Sequence, residues 1–211
     1  MYRYRYWGIG EKKGYAGIAV LSKLKPNKVT YGLPGFNDPS ANARMITLEF
    51  PHTVLVGTYA VNAGDGLKTL ESKMCWNDAL ERHLQSHLHA GKHLVWCGDL
   101  NVVWDDRDLA GASKKWNKSA GYTQAECDAH RRVLSTTGMC DAWRRLHADA
   151  VGHYTYYGWR GMCRSKGSGW RLDSFIVTEK TLPRVRACEI RHEIYGASDH
   201  VPIMADLEGP L

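Results

Sequence analysis

Asp99 and Asn101 close residues 94–101, which read Leu-Val-Trp-Cys-Gly-Asp-Leu-Asn. An apolar run of strand length ends at Gly98, a residue that permits a sharp turn or a close backbone approach. If the extended backbone continues, Asp99 and Asn101 project to the same side. A carboxylate and an amide placed there can position a water, a metal ion or a phosphate; the same pair also suits an Asx turn that merely closes a strand. A second stretch, Ser198-Asp199-His200-Val201-Pro202-Ile203, precedes a short apolar run ending near Leu207. A third, residues 169–177, sets Asp173 in an otherwise apolar strand. A buried carboxylate needs a partner. His200 is a natural one, because a carboxylate orients an imidazole and raises its basicity.

The elements that must position these groups follow from periodicity and turn signals. Residues 1–6 alternate Tyr and Arg and read either as an edge strand or as a ragged start. Residues 17–21 read as a strand. Residues 44–50 alternate Met45, Thr47 and Glu49 against Ile46, Leu48 and Phe50, predicting a half-buried strand whose hairpin partner is 53–61. Leu67, Leu70, Met74, Ala79, Leu80, Leu84 and Leu88 recur at helical spacing, predicting a helix over 67–89. His83, His87 and His89 have no acid nearby to complete a metal site. Residues 102–118 read as a long polar loop. Thr123 and Glu126 form a capping box for a helix that Gly138 ends. After a helical turn at 142–147, strands are predicted at 154–159, 170–177, 186–194 and 202–207, with a basic, Gly-rich loop at 160–169.

At 211 residues the chain is expected to fold as one domain over 1–211. Lys and Arg total 28 against 22 acids, a net charge of +6 that suits a polyanionic partner or simple solubility. Eight Trp and eleven Tyr suit core packing and stacking on bases or sugars. The six cysteines are scattered with no Cys-x-x-Cys pair, which argues against structural zinc and for reduced thiols. No apolar run is long enough to span a bilayer, so no membrane partner is expected.

Gly-Asp-Leu-Asn at 98–101, Gly-Trp-Arg-Leu-Asp at 169–173 and Ser-Asp-His-x-Pro-Ile at 198–203, in this order, resemble the exonuclease III type of AP endonuclease, within the endonuclease/exonuclease/phosphatase superfamily. Residues 14–23, 58–64 and 120–123 agree with it, so the similarity runs from about 6 to 207. The resemblance implies an α/β fold, a four-layer α/β/β/α sandwich of the DNase I-like type. It implies Mg²⁺-dependent hydrolysis of duplex DNA 5′ to an abasic site, with 3′-exonuclease or 3′-phosphodiesterase activity as a further expectation. Mg²⁺ fits the hard oxygen ligands on offer, with Mn²⁺ as an alternative.

The roles it implies are specific. Asp99 orients or deprotonates the attacking water, and Asn101 bonds water or phosphate; His200 contacts a phosphate oxygen and is held by Asp173. Tyr59 donates to the phosphate or the leaving oxygen, and Asn62 supports the same loop. Asp199, with Asp99 and Asn101, holds the metal. Tyr156, Trp170 and Leu172 form the pocket for a base-less sugar, where Tyr156 replaces an expected phenylalanine. Arg164 and Lys166, with Lys114, Lys115 and Lys118, are candidate phosphate contacts. Ser119 and Asp65 replace an expected asparagine and an arginine found in some relatives.

The resembled family also carries an N-terminal strand with an Asn, then a Gln-Glu-Thr-Lys-like stretch whose glutamate is the principal metal ligand. Neither occurs here, so the first half of the fold is expected to be incomplete. Two rival readings follow: a catalytically impaired DNA-binding remnant, or a different phosphodiesterase of the same superfamily. A retrotransposon-type endonuclease shares the Ser-Asp-His motif but not the match at 120–123. A monomer with no small-molecule cofactor is expected, in the nucleus if the source is eukaryotic and otherwise in the cytoplasm.

Overall fold

A computed structural model describes residues 1–88, 91–194, 196 and 198–210. Ten strands appear in chain order: β1 (Tyr4–Gly8), β2 (Ile18–Ser22), β3 (Lys28–Tyr31), β4 (Met45–Glu49), β5 (Thr53–Tyr59), β6 (His93–Asp99), β7 (Met139–Asp141), β8 (Asp173–Thr178), β9 (Val185–Ile190) and β10 (Ile203–Leu207). The helices are α1 (Leu70–Leu88), α2 (Ala112–Lys115), α3 (Gln124–Thr137) and α4 (Ala142–Leu146). Six strands form one sheet in the order β3-β4-β5-β6-β8-β7; β1-β2 and β10-β9 form two separate antiparallel pairs.

Helices α1 and α3 pack on each other and cover one face of the large sheet, burying Trp76, Leu80, Leu84, Val133, Val56, Leu94 and Trp96. The two strand pairs lie over the other face: Tyr6, Ile18 and Val20 pack on Ile46 and Leu48, while Val185, Cys188 and Ile190 pack on Val95 and Val177. Helix, sheet and second β layer therefore follow the expected α/β sandwich. The second β layer is split. On the face turned to it, Leu55, Cys97 and Phe175 are only half-buried.

Several expectations are corrected. β4 is not half-buried: Met45 through Leu48 are all buried, because α1 covers one face and β1-β2 the other. The predicted helix over 67–89 begins at Leu70, since Gly66 and Leu67 adopt left-handed φ values of 63° and 61°. Its inward face carries Lys73, Trp76 and Asn77, and Met74 is only half-buried. His89 lies outside the described residues. Residues 154–159 form no strand; Tyr156 makes isolated bridges to Trp170 and His200 instead. The 102–118 loop contains a 3₁₀ turn and α2. The Thr123 half of the box is present: Thr123 accepts from the Glu126 amide, while the Glu126 carboxylate accepts from the Thr123 hydroxyl and the Gly121 amide, and Gly138 ends α3 at φ 60°.

Trp96 and its neighbours form the buried centre of the sheet because β6 pairs in parallel with β5 and antiparallel with β8. Gly98 is required where this strand ends. Its φ is +122°, and a Cβ would lie 2.1 Å from the Thr58 carbonyl oxygen. Gly98→Ala is expected to destabilise the fold by about 2–5 kcal/mol, backbone strain and overpacking combined, read as a lower denaturant midpoint. A midpoint equal to wild type would show that β5 yields freely.

Candidate active site

The strand registers assemble the site. Along β5 and β6, Tyr59 stands beside Asp99; along β6 and β8, Asp99 stands opposite Asp173. The loops after these strands enclose a cleft of about 780 Å³. Tyr59, Asn62, Asp99, Asn101, Asp173, Asp199 and His200 line it, with Tyr156, Trp170 and Leu172 forming one wall. Arg164 and Lys166 are not among the residues lining it. Arg164 donates to the carbonyl of Ile194 at 2.8 Å and lies over the Tyr157 ring, while Lys166 is exposed.

The Asx-turn reading of the 98–101 tetrad is met, and the turn leaves Asp99 at the cleft. Asp99 Oδ1 accepts from the Asn101 amide at 2.9 Å, an Asx turn, and Asp99 still lines the cleft. The extended backbone does not continue: Asn101 is left-handed at φ 49°, a region asparagine tolerates. Its Nδ2 donates to the Ala60 carbonyl and its Oδ1 accepts from Asn62 Nδ2, both at 2.9 Å. Asn62 Oδ1 in turn accepts from the Gly64 amide. These two amides knit the loops after β5 and β6 together.

His200 Nδ1 lies 2.8 Å from Asp173 Oδ2. Burial opposes a charge on the ring. The hydrogen bond to Asp173, with the charges of Asp173, Asp99 and Asp199, nevertheless raises the imidazole to about 9. This interaction stabilises the fold below His200's ordinary value of 6.5, and that contribution is lost as pH rises through about 9. Asp99 is pushed up by burial and by the facing Asp173, with His200 and the Asn101 amide pulling down. The Tyr59 phenol is raised by burial and by Asp99, against the nearby Arg44 guanidinium. The groups are thus a carboxylate more basic than usual, a charged imidazole and a neutral phenol.

Sequence reasoning missed four supports. Thr155 is fully buried, and its Oγ1 accepts from the amides of Leu172 and Asp173 at 2.9 and 3.0 Å. Arg171, 1% exposed, pairs with Asp108 and Asp141 beneath Trp170 and Leu172. Arg44, buried, donates to the Tyr59 carbonyl at 3.3 Å and to the Tyr15 hydroxyl at 3.1 Å. Lys73, on the inward face of α1, reaches the Leu100 carbonyl at 2.7 Å. A signal existed only for Lys73 and Arg171, charges set among apolar positions of a helix and a strand-like run.

The profile of the Endonuclease/Exonuclease/phosphatase family matches residues 1–200. The chain belongs to this family. DNA repair nuclease APEX1 of Danio rerio is 39% identical over 203 residues, covering 96% of the chain and 64% of that protein, so the chain spans less than two thirds of this relative's length. The exodeoxyribonuclease of Bacillus subtilis is 34% identical over 198 residues, covering 94% of the chain and 77% of that protein. Among solved structures, an AP endonuclease from Archaeoglobus fulgidus superposes with a TM-score of 0.84 at 25% identity, over 97% of this chain and 80% of that one. A 3′-5′ exonuclease from Neisseria meningitidis shares the fold, with a TM-score of 0.86 at 23% identity over 98% and 80%.

The family is one of metal-dependent nucleases. The donor chemistry of the cleft suits a hard ion, because Asp99 and Asp199 offer carboxylate oxygens. The donor count falls short: among the described residues no group of three or more His, Cys, Asp or Glu side chains is placed to hold a metal. Asp173 is engaged by His200, and the Asn101 oxygen accepts from Asn62.

Asp173→Asn removes the carboxylate that holds the His200 proton. The His200 titration midpoint, followed by NMR of its ring protons, is expected to fall from about 9 toward 6.5. A midpoint that stays near 9 would assign the shift to Asp99 and Asp199 instead.

Proposed function

We propose that this cleft hydrolyses phosphodiesters of duplex DNA, incising 5′ to an abasic site, with 3′-exonuclease or 3′-phosphodiesterase activity at the same centre. The observation that carries this reading is the grouping of Asp99, Tyr59 and the Asp173–His200 pair at the strand ends, beside an aromatic wall. Asp99, made more basic by burial, takes a proton from the attacking water. The water oxygen bonds to phosphorus as the bond to the leaving 3′ oxygen breaks. Charged His200 and the Tyr59 hydroxyl donate to the phosphate and leaving oxygens, where charge develops. Asn62 and Asn101 keep the loops in place and present their remaining amide hydrogens.

Tyr156, Trp170 and Leu172 support abasic specificity. A sugar without a base fits against them, and an intact base meets Tyr156 and Trp170. The net charge of +6 and the exposed Lys114, Lys118 and Lys166 favour the DNA backbone. The relatives' names, a DNA repair nuclease and an exodeoxyribonuclease, agree with this substrate class. Mg²⁺ is the ion we propose: Asp99 and Asp199 would hold it through carboxylate oxygens, Asn101 joining only if its oxygen left Asn62, and it would supply positive charge to the phosphate. The short donor count favours one second reading, a binding protein that keeps the DNA surface without cutting.

The test is incision of a duplex carrying one tetrahydrofuran abasic analogue, with Mg²⁺ or with EDTA. Cleavage is expected with Mg²⁺, abolished by EDTA, and lowered about 100-fold or more in Asp99→Asn and His200→Ala. Binding of the duplex without cleavage would replace the nuclease by the binding protein. Cleavage of undamaged duplex at an equal rate would remove the abasic specificity.

A further inference from the structure

Lys73 is a buried cation that no carboxylate neutralises directly. It is 1% exposed, and no acidic oxygen lies within ion-pair distance of it among the described residues. Such a group is costly to bury, and an apolar side chain at this inward helix position would pack at no electrostatic cost. Its hydrogen bond goes to a particular atom. Nζ donates to the carbonyl of Leu100, between Asp99 and Asn101, across 27 residues of sequence. Around it lie three charges: Glu126, Asp99 and Arg44. Burial lowers the ammonium to about 8, with Glu126 and Asp99 favouring its charge. Glu126 is itself fully buried, and both its oxygens accept from the Gly121 amide on the facing loop at 3.0 Å. Val103 then bonds to the Gly121 carbonyl, closing the assembly.

We propose that Lys73 is a positioning residue for the hydrolytic site: from α1, its ammonium pins the Leu100 carbonyl behind the 99–101 turn and sets a positive charge beneath a cleft lined by carboxylates. This role rests on the nuclease reading. With the carbonyl pinned, the left-handed Asn101 stays in register with Asn62, and Asp99 faces the water it would activate. Lys73 adds a charged donor to a turn otherwise held by the Leu100 amide on Leu172, the Ala60 amide on the Asp99 carbonyl, the Asn101 side chain with Ala60 and Asn62, and the Asn101 amide on Asp99 itself.

Lys73→Met keeps the length and packing of the side chain and removes the charge; Lys73→Arg restores it. Two readouts on the full chain separate a positioning role from a structural one. Cleavage of the tetrahydrofuran duplex is expected to lose kcat about 30-fold in Lys73→Met with KM within threefold, and Lys73→Arg is expected to recover most of it. Amide exchange at Leu100, Asn101 and Val103 is expected to accelerate about tenfold in Lys73→Met, while the core of α1 stays within twofold. Equal kcat in wild type and Lys73→Met, or faster exchange spread evenly along α1, would overturn the proposal. If Lys73→Met does not fold, Lys73→Gln takes its place, and loss of fold in both assigns Lys73 to stability alone and also overturns it. A wild-type chain that cuts nothing defeats the nuclease reading, and the exchange pattern still decides the pinning of the turn.

Discussion

Two carboxylates face each other across neighbouring strands. The antiparallel register of β6 and β8 sets Asp99 opposite Asp173. Like charges at such a position repel, and burial adds to the cost. The structure resolves the conflict unequally. Asp173 is given to His200, 2.8 Å away, and the imidazole becomes a lasting cation. Asp99 is left with one backbone hydrogen bond and a raised proton affinity. A single constraint of register thus yields a protonated imidazole held by a carboxylate and, beside it, a more basic carboxylate. These are the two protonation states that hydrolysis of a phosphodiester calls for.

The register would be of little use if the strand ends could shift. Arg171 fastens them. Its guanidinium pairs with Asp108 at 2.6 Å and Asp141 at 2.7 Å, and it lies over the rings of Trp104 and Trp143. Arg144 joins Asp108 from α4. One buried network therefore ties β7, α4, the 106–108 turn and the segment entering β8. Removing one partner of such a pair leaves an uncompensated charge, a loss of about 3–5 kcal/mol. Thr155 adds the link to the His200 loop: its hydroxyl accepts from the Leu172 and Asp173 amides, and its carbonyl accepts from the Val201 amide. Behind the other strand end, Lys73 and Arg44 place buried positive charge under Leu100 and Tyr59.

Much of the site was legible in the sequence. The Gly98–Asn101 tetrad, Asp173 within an apolar run and the Asp199–His200 pair are local words, and nearly all the residues they named line one cleft. The placement of the candidate phosphate contacts on the 160–169 loop, outside the cleft lining, was not legible in the same way. Arg164 is turned toward the backbone at 192–194, because an exposed loop takes its shape from its neighbours rather than from its own composition. The expected strand at 154–159 failed for a related reason. Aromatic alternation indicates a strand only where a continuous partner exists, and here Thr155 and Tyr156 share the Trp170 carbonyl.

The sequence by itself determined the types of group, their order and most of the secondary elements, while the family fold came from the resemblance its ordered motifs carry. The elements are encoded within short windows: period-two and helical patterns, the Thr123–Glu126 cap, and Gly98 at a strand position where a Cβ would meet the Thr58 carbonyl. Only the tertiary structure decided what each group does to the others. That Asp99 meets Asp173, that His200 becomes charged, and that Lys73 and Arg171 stand beneath the cleft are facts of register and burial. They depend on residues far apart in the chain sharing a medium from which water is excluded. There, distance and desolvation set both proton affinity and position, and no local pattern carries either.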